Sequence, residues 1–246
     1  MQGQRFTIGQ QGSIRDDRRI RIRNWQDKIR DPALTVLLVL LLLGVFIAEP
    51  LAARGLPIAR VITFTVALVA LLIVVMLSHR RGPIIINLLG LAAVVAVLTS
   101  QLLGAEWPLL TKDIIRRGGE IIAWSTLIWV VAHAVYAPGR ITSNRLQGAV
   151  VVYLSAAMIF ASVYGLIWEL QPDAFAHLPA SIGGETETAA LMYFSLTTLT
   201  TTGYGDILPV DPFARSLANF EAVLGVFYIG ITIARLVTLQ LSDRAE

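Results

Sequence analysis

Thr200-Thr201-Thr202-Gly203-Tyr204-Gly205-Asp206 is the stretch that decides how this chain is read. Glycine alternates with larger residues at positions 203 and 205. A regular strand turns successive residues to opposite faces. Bringing consecutive carbonyls to one side needs some residues at positive φ, which glycine adopts without a Cβ penalty. Gly-Tyr-Gly-Asp by itself is a common surface turn in soluble proteins, so the surroundings decide. A short segment, 188–199, rich in Ala, Leu, Met and aromatic residues, leads into the stretch, and long apolar runs at 146–170 and 214–241 flank it.

Composition sets the class. Of 246 residues, 55% are hydrophobic and 15% charged, where soluble domains average about 25% charged. Several runs reach the length of about 20 apolar residues that spans a bilayer. The chain therefore reads as a polytopic, all-α membrane protein. No cysteine is present, which excludes a disulfide framework or thiolate metal site. His79, His133 and His177 are scattered without metal or triad spacing, and no phosphate-binding glycine loop or nucleophile constellation occurs. The expectation is no enzyme and no cofactor.

Six spans are read from hydropathy, at 33–53, 56–78, 84–104, 119–137, 146–170 and 214–241. Residues 1–31 carry Arg15, Arg18, Arg19, Arg21, Arg23, Lys28 and Arg30. Ile22, Trp25 and Ile29 share a face at helical spacing. Two readings stay open for this segment: an amphipathic helix on the anionic leaflet, or a topology signal with disordered flanks. Its direct run into a span argues against a nucleic-acid role. The basic N-terminus, His79-Arg80-Arg81 and the loop with Arg140 and Arg145 fall on alternate sides of the spans, and no Lys or Arg lies between 145 and 215. By the positive-inside rule both termini are cytoplasmic and the Gly-Tyr-Gly stretch faces outward; the expected location is the plasma (inner) membrane. One loop, 103–120, is discordant, because it places Lys112, Arg116 and Arg117 on the outer side.

Between the last two spans, residues 186–198 form an apolar helix of about 20 Å, too short to cross. Thr186 or Thr188 is the expected N-cap, with Glu185 and Glu187 beside them. Re-entrant helix and bare loop are tolerated at membrane depth only where protein or a water-filled cavity surrounds them.

Thr201-Thr202-Gly203-Tyr204-Gly205-Asp206 resembles the T-x-G-Y-G-D selectivity filter of tetrameric potassium channels, whose TVGYG loops are the standard example of carbonyl coordination of K⁺. The resemblance implies a potassium-selective channel of four identical subunits with four-fold symmetry. Thr201, Thr202, Gly203 and Tyr204 would then supply oxygens to K⁺ as the permeant ion. The Thr201 hydroxyl would complete the innermost site, Tyr204 would brace the loop, and Gly205 and Asp206 would support it. Tyr193, thirteen residues before Asp206, matches the aromatic donor that holds the filter aspartate in family members. The last span, with Glu221, Gly225 and Gly230, is similar to the family's inner helix. Gly225 stands twenty residues after Gly205, where the family has a gating-hinge glycine; hinge and close-packing readings remain open for it and for Gly230. Glu221 is expected either against the short helix near Thr197 or Thr198, or lining the cavity.

This organisation gives a basic cytoplasmic segment (1–31), a four-helix membrane domain (32–137) and a pore domain (146–241). A voltage sensor needs Arg or Lys at intervals of three through a span. Residues 121–138 contain no charge, so the ladder is missing. Thr202 replaces the usual aliphatic residue of the family, which keeps a non-selective cation channel as the alternative. A potassium transporter subunit is disfavoured, because those carry four filter repeats in one chain. Expected partners are three further copies and membrane lipid.

Overall fold

The structure, a computed structural model, describes residues 34–77, 108–136, 143–179 and 185–245, and positions 85, 86, 88 and 92 besides. The basic segment 1–31, the connector at 79–81, most of the expected third span and the glycine pair at 183–184 lie outside the described residues.

Six helices carry the described chain. Helix α1 (Leu34–Ala53) contains a π-helical turn at Gly44–Ala48. It is followed by α2 (Pro57–Leu77), α3 (Leu109–Val135), α4 (Ser143–Leu170), α5 (Glu185–Leu199) and α6 (Pro212–Ala245). Among the described residues three helices are long and apolar enough to cross a membrane: Leu34–Ala53, Arg145–Leu170 and Pro212–Arg235. They coincide with the first, fifth and sixth expected spans. In α2 the apolar core is the shorter stretch Thr65–Val74.

The expected loop at 103–120 is corrected by the structure, because its second half is helical. Helix α3 starts at Leu109, ten residues before the expected span. Lys, Arg and Glu are good helix formers. Arg116 also closes an i,i+4 pair with Glu120 at 3.0 Å and an i,i+3 pair with Asp113 at 3.5 Å, on the same face.

Helices α1 to α4 share an apolar core built from Leu37, Leu41, Val74, Leu127, Val131 and Val151, each at most 1% exposed. A second core lies between α4, α5 and α6. Its centre is an aromatic cage in which Tyr164 meets Phe194 edge-on at 5.0 Å and Phe175 at 5.6 Å, geometries favoured by the ring quadrupole. Antiparallel pairing of β1 (Phe175–Ala176) with β2 (Leu208–Pro209) ties the loop after α4 to the loop before α6. Helix α6 then starts cleanly. Asp211 Oδ1 accepts from the amides of Phe213 at 2.8 Å and Ala214 at 3.0 Å, with Pro212 as the first helical residue.

Candidate functional site

The site is built from the end of α5 outward. Helix α5 stops through two backbone bonds: the Thr201 amide donates to Thr198 O at 2.9 Å and the Thr202 amide to Thr197 O at 2.8 Å. A 5→2 bond nested inside a 6→1 bond is a Schellman motif, which demands a left-handed residue at the first position past the cap. That residue is Thr201, with φ of 56°. Glycine normally fills this position, since a left-handed L-residue costs about 1–2 kcal/mol.

Gly203 and Gly205 follow, with φ of 53° and 78°. Positions 201, 203 and 205 are therefore left-handed, whereas Thr202 and Tyr204 between them are not. Left-handed residues at every second position are the kind of backbone that a one-sided run of carbonyls needs, and they start one step earlier than the glycines alone indicate. Residues 200–206 are all exposed on the single chain, and a Cβ built at Gly203 or Gly205 meets no atom within 4 Å.

Side chains hold the segment from behind. Thr200 Oγ1 donates to Leu196 O at 2.7 Å and lies 2.9 Å from Thr202 Oγ1. A hydroxyl has one hydrogen, so Thr202 is the donor in that second contact and its hydroxyl is turned back toward the helix end. At the other end, Tyr193 Oη donates to Asp206 Oδ2 at 2.8 Å and Asp206 Oδ1 accepts from the Ile207 amide at 3.1 Å. The structure thus brings together the two residues paired from the sequence. The Tyr193 and Tyr204 rings lie parallel, 6.1 Å apart.

Glu221 is fully buried and faces the short helix, not open space. Its partners are not Thr197 or Thr198: Tyr164 Oη donates to Oε2 at 2.6 Å, and Ser195 Oγ lies 2.6 Å from Oε1. Ser195 Oγ is also 2.8 Å from Ala157 O. With one hydroxyl hydrogen available, both Ser195 contacts are hydrogen bonds at once only when the carboxyl brings the second hydrogen. One side chain thereby joins α4, α5 and α6 behind the segment.

Gly225 sits against the last residue of α5. A Cβ there would lie 2.9 Å from the Leu199 carbonyl carbon and closer still to its oxygen. Tyr153 Oη donates to the same oxygen at 3.1 Å. Gly230, by contrast, has open space where a Cβ would stand.

At the start of α5 the N-cap expectation is corrected. The helix begins at Glu185, so Thr186 is inside the first turn, its hydroxyl 3.4 Å from Ala53 O. Glu187 is buried and accepts from Arg117 Nη2 of α3 at 3.0 Å.

Neither the curated proteins nor the solved structures gave a match to this chain. A protein-family model described as "Ion channel" matches residues 148–240, which carry most of α4, all of α5, the Gly-Tyr-Gly segment and α6 as far as Gln240. Over that stretch the chain is similar to the ion channel family.

Proposed function

We propose that this channel is potassium-selective and that four identical chains form its pore. The observation carrying the reading is the left-handed alternation at 201, 203 and 205 in a Thr-Thr-Gly-Tyr-Gly-Asp sequence. That backbone lets the carbonyls of Thr201, Thr202, Gly203 and Tyr204 replace the water shell of a monovalent cation. Gly205, Asp206 and Tyr193 hold it from behind. The C-terminal end of α5, with its partial negative charge, ends where a cation would approach the innermost Thr201 oxygens.

Exposure of the segment on one chain supports assembly. Bare backbone at membrane depth needs a protein or water-filled surround, and one chain supplies one strand of the carbonyl ring. Helix α6 offers a matching surface: Phe220, Val223, Val226, Phe227 and Ile231 are all more than half exposed on the single chain. The reading places both termini on the cytoplasmic side of the plasma membrane, with K⁺ as the only ion required.

The test is flux from liposomes holding the purified chain. Wild type is expected to pass K⁺ and exclude Na⁺, and Gly203→Ala to pass neither. Equal K⁺ and Na⁺ flux in wild type establishes the non-selective alternative. Wild-type flux from Gly203→Ala removes the filter assignment.

A further inference from the structure

Arg117 is the least expected residue in the fold. It is 1% exposed although charged, and 70 residues separate it from its partner Glu187. The guanidinium reaches α5 by crossing α4 at Gly165. A Cβ at Gly165 would fall on the Arg117 guanidinium carbon and lie 2.5 Å from Nη1. Any side chain at position 165 would have to displace the guanidinium from this passage. The neighbouring turn is fastened too: Glu120 Oε2 accepts from Ser162 Oγ of α4 at 3.0 Å, while Oε1 accepts from Arg116.

Glu187 is in the first turn of α5. The last turn of the same helix provides the Thr197 and Thr198 carbonyls that bind the amides of Thr201, Thr202 and Gly203. A 15-residue helix is a short rigid lever, so a displacement at Glu187 is delivered to the left-handed segment. Helix α3 touches α6 at its other end: the Tyr136 hydroxyl is 3.2 Å from Thr232 Oγ1, and Arg235 donates to the Tyr136 carbonyl with its guanidinium over the Tyr136 ring.

We propose that Arg117 is a positioning residue for the filter: its buried pair with Glu187 makes α3 the strut that fixes the start of α5, and through α5 the filter amides. The pair is suited to this role because a buried charge that loses its partner is strongly penalised, so α3 and α5 move together or not at all. The proposal gives the membrane domain ahead of the pore a task that does not need charges along a span. It rests on the channel reading given above for its effect on current, but the contact itself has an independent readout.

The experiment uses the full chain in liposomes and planar bilayers, comparing wild type with Glu187→Gln, Arg117→Lys, Gly165→Ala and Arg117→Gln/Glu187→Gln. Glu187→Gln and Gly165→Ala are expected to shorten single-channel bursts by about 2- to 30-fold, the range that coupling along a packed network gives. Unit conductance and reversal potential stay unchanged. The double variant, which leaves no unpaired buried charge, is expected to be milder than Glu187→Gln, and Arg117→Lys to lie between Glu187→Gln and wild type. Hydrogen exchange at the Thr201, Thr202 and Gly203 amides is expected to rise by a similar factor, with no change at α4. Wild-type bursts and exchange in both Glu187→Gln and Gly165→Ala overturn the proposal. A rise in exchange spread evenly over all helices also overturns it, since that is loss of general stability. A local rise at Thr201 to Gly203 in a chain that never conducts supports the strut and refutes the channel reading.

Discussion

Replacing Gly225 by alanine separates two accounts of the inner helix. The new Cβ would stand 2.9 Å from the Leu199 carbonyl carbon, whereas carbon pairs rest at about 3.5–4.0 Å. Helices α6 and α5 must therefore part by at least roughly 0.6–1.1 Å on the carbon contact, and further to clear the nearer Leu199 oxygen. Overpacking of this kind costs about 1–3 kcal/mol per site, or about 4–12 kcal/mol over four copies if the sites are independent. The displaced group is not a flexible side chain but the carbonyl of Leu199, which also receives Tyr153. The assay is thermal dissociation of the detergent-solubilised assembly, alongside single-channel recording. The expected result is a lower dissociation temperature together with unstable conduction. An assembly as stable as wild type, with normal selectivity and only a reduced open probability, would refute the packing argument and favour a hinge. Gly230→Ala is the control: its Cβ meets open space within the chain, and alanine is favoured over glycine in a helix by up to about 1 kcal/mol. Its stability is expected to be equal to wild type or higher.

Thr201→Gly removes a left-handed strain of about 1–2 kcal/mol; dissociation in K⁺-free buffer should move to higher temperature, while loss of the hydroxyl lowers K⁺ current. Lower stability without K⁺ would mean that the Thr201 conformation is not strained. Glu221→Gln keeps an acceptor for Tyr164 and a donor for Ser195, so folding and conduction are expected to persist. Glu221→Ala leaves the Tyr164 hydroxyl without its acceptor and costs about 1–3 kcal/mol per chain before any cavity is counted; equal thermal stability of the two variants contradicts the hydrogen count. Tyr193→Phe is expected to hasten the decline of current during sustained recording, because Asp206 keeps only the Ile207 amide. An unchanged decline would show that the Tyr193 bond does not steady the segment.

What the sequence reveals here follows from range. The Gly203 and Gly205 positions, the short apolar helix and the Tyr193–Asp206 spacing are local, and each is visible in a window of twenty residues or fewer. Thr201 is also local, but it runs against propensity: a β-branched residue is disfavoured at positive φ, and the helix-ending motif imposes that conformation regardless. The readable signal was the absence of glycine where α5 has to stop. Glu221 marks itself as a buried ionisable group, yet its partners Tyr164 and Ser195 stand 57 and 26 residues away, which no periodicity encodes. Arg117 is hidden more deeply. Hydropathy treats a cluster of charges as the end of a span, so residues 109–120 read as loop, and only the crossing at Gly165 reveals that one of those charges is inside the bundle.

The most direct measurement of the central claim is the single-channel reversal potential of the purified chain under opposed K⁺ and Na⁺ gradients. Discrete currents reversing near the K⁺ equilibrium potential, moving about 59 mV per tenfold change in the K⁺ ratio, are the predicted result. Currents that reverse near zero under those gradients, or no unitary currents from folded assemblies, would contradict it.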